Sequence, residues 1–170
     1  HLLDIAENSI AAGASEIRVT VIEDTNSDLL QMSVQDNGKG MDAEMVARVI
    51  DPFVTSRTTR KVGLGIPLLK EAAEACNGFL TIESALGKGT LLIVQFQRSH
   101  IDRMPLGDVS ETFLNLLVAN PSIHWILKYK FDNREFLLDD AEIKDTLQGV
   151  PMTEPPILSY LRELVETGIH

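Results

Sequence analysis

The stretch Asp36-Asn37-Gly38-Lys39-Gly40-Met41 limits what this chain can become more than any other. It follows Leu30, Met32 and Val34, which alternate with Gln31, Ser33 and Gln35, the period-two pattern of a strand with one apolar face. A carboxylate is therefore held at a strand end, and glycines at 38 and 40 come next. Glycine accepts positive φ and lets another body approach the main chain closely. By itself Asp-x-Gly-x-Gly is equally an ordinary strand-to-helix turn. Its meaning depends on whether other stretches answer it.

The chain has 170 residues, 44% of them hydrophobic, enough to bury a core of ordinary size. A formal net charge of −10 argues against a nucleic-acid backbone or an anionic membrane surface as the main partner. Arg57, Arg60 and Lys61 form the one dense basic cluster. With Cys76 as the single cysteine, no internal disulfide forms, and a reducing, cytoplasmic location is expected. No apolar run approaches membrane-spanning length. The sequence opens at His1 in mid-pattern and is expected to be a fragment.

Residues 1–12 predict a helix with Leu2, Leu3, Ala6 and Ile10 apolar and Gly13 as its stop. Asp4 and Asn8 lie four apart on one face. A carboxylate and an amide on one stripe can hold a hydrated divalent cation or orient a water; a solvated surface has the same composition. Residues 16–22 and 29–35 predict an antiparallel hairpin. Asp42 is expected to cap a short helix to Ile50 with Met45, Val46 and Val49 turned inward. Residues 51–61 are hydroxyl-rich and basic, a loop or a lid over phosphates. Gly63-x-Gly65 is expected to open the next helix, with Pro67 in its first turn. Free N–H groups there would suit an anion. Ile66, Leu69, Ala73 and Cys76 recur at helical spacing, so Cys76 reads as a core thiol. Residues 79–84 and 90–97 predict a second hairpin around a glycine-flanked turn.

Together Asp4…Asn8, Asp36-x-Gly38-x-Gly40, Gly63-x-Gly65 and Gly87-x-Gly89-Thr90 resemble the nucleotide site of the GHKL superfamily, the gyrase, heat-shock chaperone, histidine kinase and mismatch-repair ATPases. Residues 7–14 resemble the mismatch-repair branch. Residues 62–96, and Asp51-Pro52-Phe53, resemble histidine kinase catalytic domains. The resemblance covers about residues 1–97. It implies a two-layer α/β sandwich, a mixed and mostly antiparallel sheet with helices on one face. It also implies ATP and Mg2+ as cofactors. Asp36 would accept from the adenine amine, with Gly38 and Gly40 beside the base and Thr90 near it. Asn8 would ligate magnesium. Gly63 and Gly65 would meet the phosphates under a lid from Thr55 to Val62, and Met41, Phe53, Lys61 and Leu64 would complete the binding set. Asp4 would be the catalytic residue. Hydrolysing members usually carry Glu at that position, one methylene longer, so binding is expected with slow hydrolysis or with phosphoryl transfer to a protein. A non-catalytic ATP switch acting on a protein partner is the alternative. Lys61 stands where the phosphate loop usually has a further glycine. His1 lies in the first helix and is not the phosphoacceptor that such kinases carry upstream.

Past Arg98 the character changes. Residues 99–107 read as a linker and 108–170 as a small α+β module of helix, hairpin (His124–Phe131 and Glu135–Leu138) and two helices. About 70 residues make a marginal core. Packing on the first domain, or on a second copy in a homodimer, is expected. His100 and His124 are read as structural and Trp125 as core.

Overall fold

A computed structural model describes residues 2–53 and 60–170, residues 60–64 by their backbone only. The elements in order are α1 (Leu2–Ala11), β1 (Glu16–Asp24), β2 (Leu29–Asp36), α2 (Ala43–Val49), α3 (Arg60–Ala75), β3 (Phe79–Ala85), β4 (Gly89–Gln97), α4 (Val109–Ala119), β5 (His124–Phe131), β6 (Arg134–Asp139), α5 (Asp140–Leu147) and α6 (Pro155–Ile169).

The strands form one six-stranded sheet in the order β3-β4-β2-β1-β5-β6. Every pairing is antiparallel except β1 with β5. Alternation along the strands decides which face is covered. Ile17, Val19 and Val21 of β1, Leu30, Met32 and Val34 of β2, Leu92, Val94 and Phe96 of β4, and Trp125, Leu127 and Tyr129 of β5 are buried. The residues between them remain partly or fully exposed. The helices therefore pack on one face, and the fold is the two-layer α/β sandwich with a mixed, mostly antiparallel sheet.

Residues 108–170 supply β5 and β6 to this same sheet. Phe113 and Leu117 of α4 and Val165 of α6 join the buried cluster that begins at Leu2. The physical reason lies at β1. Without β5 it would be an edge strand with a row of unpaired main-chain groups. Parallel pairing from Glu16 with His124 to Glu23 with Phe131 satisfies that edge.

Two helices differ from expectation. In α2 the Asp42 cap forms, its side chain accepting from Met45 N, but no residue of the helix is buried and Met45 is 40% exposed. Met45 faces a cavity, whereas Val49 is half-buried, lines the same cavity and packs against the core cluster as expected. The second is α3, which begins at Arg60 and carries Pro67 in its interior. Gly63 and Gly65 thus lie inside the helix rather than ahead of it. With the helix starting at Arg60, the N–H groups without a partner inside it extend no further than residue 62, so neither Gly63 nor Gly65 is among them. Proline tolerates this position at the cost of a missing donor to the carbonyl four residues back.

Side chains at both ends of β1 tie the C-terminal elements on. Glu23 is only 8% exposed; it accepts from the Tyr129 hydroxyl and from Arg98 Nε at 3.1 Å, and Arg98 stacks 5.3 Å over Phe131. Burial, then the Glu23 carboxylate, push the Tyr129 hydroxyl pKa well up. At the other end His124 contacts Asp139 through Nε2 at 2.6 Å and Glu16 through Nδ1 at 3.1 Å. His124, Asp139 and Asp140 place three ligand-type atoms within 4.8 Å of one another. Spacing in the sequence had concealed this, since His124 has no nearby partner along the chain. The position next to buried Asp140 is filled by the ammonium of Lys144, 2.8 Å from Oδ2, so the group is an ion-pair cluster within the protein.

The hydrogen bond to Asp139, aided by the charges of Asp139, Asp140 and Glu16, raises the His124 pKa above 6.5. The same contact lowers Asp139 below 3.8. A histidine raised on folding contributes stability that is full below its unfolded pKa and is lost as pH rises through the folded value. The thermal midpoint is therefore expected to fall as pH rises from about 6.5 through the folded His124 value, and His124→Gln should flatten that slope. Equal slopes in the two proteins over this window would refute the assignment. Asp139 acts in the opposite direction, its contribution disappearing as pH falls below about 3.8.

Candidate functional site

The Asp36 carboxylate faces the helix layer, because Asp36 shares the inward parity of Val34 and Met32 on β2. It is 9% exposed. Ser9 of α1 donates to Oδ2 at 2.6 Å, and the Gly38 amide donates to Oδ1 at 2.8 Å. An ionised carboxylate accepts more than two bonds, so capacity remains toward the space in front of it. That space is a cavity of about 350 Å³. Ile5, Val34, Ile66, Ile82 and Leu92 give it an apolar wall, and Asn8, Ser9, Asp36, Lys39 and Thr90 are its polar members.

Asn37 and the glycines of the box fix this geometry. The Asn37 side chain accepts from Ser15 N at 2.8 Å and Glu16 N at 3.0 Å and donates to Ser15 Oγ at 2.8 Å. Lys39 N donates to Ala12 O at 3.0 Å, and Gly87 N donates to Lys39 O at 2.7 Å. The box is thereby bound to the end of α1, the start of β1 and the β3–β4 turn. Gly40 has φ +70, and a Cβ there would lie 2.0 Å from Ala85 O. Gly89 has φ +85, and a Cβ there would lie 1.9 Å from Asp36 O. Main chain meets main chain at both places, with no room for a side chain.

The structure gathers Asn8, Asp36, Gly40, Met41 and Thr90 on one cavity. Gly38 sits behind Asp36, against Ala12. Asp4 is exposed and does not line the cavity; its Cβ lies 4.0 Å from the Cβ position at Gly65. Phe53 is 91% exposed and away from the lining. Lys61, Gly63 and Leu64 fall in the first turns of α3, with side-chain positions outside the described residues. The lid expected from Thr55 to Val62 lies outside them up to residue 59, and 60–62 belong to α3.

Three polar contributors were not singled out from the sequence: Ser9, Ser84 and Lys39. Ser9 carried a readable signal. It is 4% exposed on the buried stripe Leu2, Ile5, Ala6, Ser9, and a hydroxyl on an apolar stripe needs a partner. That stripe excludes Leu3, which is 42% exposed.

The arrangement is a concave apolar space with convergent acceptors, the usual form of a small-molecule site. Residues 2–100 match the family model described as histidine kinase-, DNA gyrase B-, and HSP90-like ATPase, and the chain belongs to this family. It is 33% identical over 111 residues to the non-motile and phage-resistance protein of Caulobacter vibrioides, covering 60% of this chain and 13% of that protein. It is 42% identical over 89 residues to the sensor protein kinase FleS of Pseudomonas aeruginosa, covering 52% of this chain and 22% of that one. A putative sensor histidine kinase, NtrY-like, of Rickettsia conorii is 30% identical over 103 residues, with 60% of this chain and 17% of that protein covered. The chain thus spans less than a quarter of the length of these relatives. Among solved structures, full-length ShkA in complex with AMPPNP aligns at a TM-score of 0.46 and 25% identity, covering 56% of this chain and 20% of that one. No helix among the described residues is long and apolar enough to cross a membrane.

The glycine contacts can be tested without any ligand. Gly87 has φ +76 with nothing within 4 Å of an added Cβ, so Gly87→Ala should cost only the left-handed backbone strain, about 1 kcal/mol. Gly40→Ala adds a main-chain collision, worth about 1–3 kcal/mol more. Denaturant titration should rank Gly40→Ala clearly below Gly87→Ala, and equal losses would disprove the close packing of the box on the β3–β4 turn.

Proposed function

We propose that this chain binds Mg-ATP in the cavity between α1, the Asp36 box and α3, and uses it for phosphoryl transfer to a protein or for slow hydrolysis. The observation that carries the reading is the Asp36 carboxylate. It is nearly buried, supported by Ser9 and the Gly38 amide, and turned into an apolar cavity of about 350 Å³. An adenine ring fits such a space. Its exocyclic amine supplies the donors that the carboxylate lacks, and its faces bury against Ile5, Val34, Ile82 and Leu92. Family membership supports ATP as the nucleotide.

Asn8 suits magnesium. Its side chain lines the same cavity on the face of α1 that carries Asp4, and an amide oxygen is a hard, neutral ligand. Magnesium bound there would offset phosphate charge. Gly63, Gly65, Lys61 and Leu64 are proposed to meet the phosphates from α3, Met41 and Gly40 to flank the base, and Phe53 to close on the nucleotide from the segment after α2. Asp4 is proposed to orient the attacking group. A cytoplasmic location and a protein phosphoacceptor supplied in trans complete the proposal.

The position of Asp4 also favours a second reading, an ATP-operated switch without turnover. Asp4 is exposed and outside the cavity lining, and general-base catalysis needs hydrogen-bond reach. In that case nucleotide binding alone would alter binding of a protein partner.

Calorimetric titration of the protein with ATP and magnesium tests the site. Asp36→Asn keeps shape and one acceptor but removes the charge, and a hydrogen bond to a charged group contributes about 1.5–3 kcal/mol. Affinity should fall about 10- to 100-fold. Asn8→Ala should abolish the magnesium-dependent part of ATP binding while leaving adenosine binding intact. Unchanged affinity in Asp36→Asn would refute the site. Phosphate release that disappears in Asp4→Asn would favour the enzyme, and binding without release would favour the switch.

A further inference from the structure

We infer that Ser84 is a positioning residue that fixes the hydrogen-bond polarity of Thr90, so that the sheet meets the base with acceptors only. The inference rests on the proposed nucleotide site and concerns how that site rejects 6-oxopurines.

Ser84 of β3, Thr90 of β4 and Asp36 of β2 stand abreast, since Ser84 pairs with Thr90 and Thr90 pairs with Asp36. All three share the parity of the cavity-lining residues Ile82, Leu92 and Val34. Asp36 and Thr90 reach the cavity, while Ser84 stands behind Thr90 and does not line it.

Ser84 Oγ has one proton and two lone pairs. Met41 N, which can only donate, lies 2.8 Å away. Gly89 O, which can only accept, lies 3.0 Å away. One lone pair and the proton are thereby committed. The remaining lone pair faces Thr90 Oγ1 at 2.8 Å. With the Ser84 proton on Gly89 O, Thr90 is the donor of that contact. Its single proton points away from the cavity, and its own lone pairs are what a ligand meets.

The row therefore presents carboxylate oxygens and a hydroxyl oxygen whose proton is spent. Ser9 and Gly38 reinforce this pattern by donating to Asp36 from behind. An exocyclic amine carries two hydrogens and satisfies two such acceptors. A 6-oxo group carries none and would face oxygen. The N1–H beside it supplies a single donor, so a 6-oxopurine brings one hydrogen fewer to the row than the amine does. Were Ser84 absent, the Thr90 hydroxyl could turn and donate to a carbonyl. Asp36 would still disfavour the oxo group, and Thr90 would no longer add to that.

The test is the ratio of dissociation constants for ITP and ATP, each with magnesium, measured in the parent, Ser84→Ala, Ser84→Thr and Thr90→Val. Ser84→Ala also removes the hydroxyl that meets Met41 N and Gly89 O, which would weaken both nucleotides alike. Only the polarity of Thr90 moves the ratio. The expected result is a fall in the preference for ATP of about fivefold to tenfold in Ser84→Ala, with ITP binding improved relative to ATP. Ser84→Thr, which keeps the hydroxyl, should restore the parent ratio. In a Thr90→Val background Ser84→Ala should change the ratio no further. An unchanged ratio in Ser84→Ala overturns the inference while leaving the nucleotide site intact. Should Ser84→Ala fail to fold, Thr90→Val decides alone: loss of the acceptor must lower the ATP preference, and an unaltered ratio again overturns the inference. Failure of the parent to bind either nucleotide overturns the site itself, and this inference with it.

Discussion

Asp36 belongs to the sheet and to the cavity at once, and the rest of the site depends on both attachments. Its main chain lies in register with Ile17 on one side and Thr90 on the other. Its carbonyl is pressed against Gly89, where a Cβ would lie 1.9 Å away, and the chain past it is pressed against Ala85 through Gly40. Gly38-x-Gly40 and Gly87-x-Gly89 are thus two halves of one contact, far apart in sequence and touching in space. Any side chain at Gly40 or Gly89 would push main chain from main chain. The carboxylate that this contact aims would move with it.

Charge alone would not draw a polyphosphate to this protein. A formal net charge of −10 repels anions, although screening confines that effect to about a Debye length, roughly 8 Å at physiological ionic strength. Within that range local cations decide. Lys39 lines the cavity, and Arg57, Arg60 and Lys61 form the basic cluster of the sequence. The proposed base end of the cavity needs no cation: its apolar wall excludes water, and in such surroundings an unmatched acceptor is costly. On the proposed reading, selectivity at that end follows from which hydrogens a ligand brings.

The strands were legible because their apolar alternation was strong, and the Asp36 box was legible because it directly followed such a strand. The position of Asp36 at a strand end was legible, and its parity with Met32 and Val34 turns it inward. What could not be read was anything that depends on register between distant strands. Ser84 and Thr90 were visible as residues, but their contact exists only because β3 and β4 pair in one register and β4 pairs beside β2. The start of α3 was misplaced because glycine and proline are helix punctuation in isolation, whereas here tertiary contacts of Ile66, Leu69 and Ala73 hold the helix through them. The hairpin of His124–Phe131 was read correctly, yet its role was hidden. An exposed edge on β1 leaves no mark in the sequence of β1 itself.

That edge links the C-terminal elements to the site. Glu16, the first residue of β1, receives the Asn37 amide on its carbonyl at 3.3 Å and gives its own amide to Asn37 Oδ1 at 3.0 Å. The same residue pairs with His124 across the parallel ladder and meets its imidazole at 3.1 Å. A strand end with one free edge frays, and a frayed Glu16 would release Asn37 and with it the turn that carries Gly38 and Gly40. With β5 in place, β1 is held on both sides and the clamp on Asn37 is set before any ligand arrives. Order already present in the free protein is not charged against binding. On this reasoning the residues after 108 serve the site without touching it: they keep the first residue of β1 in line, and that residue keeps the Asp36 box in shape.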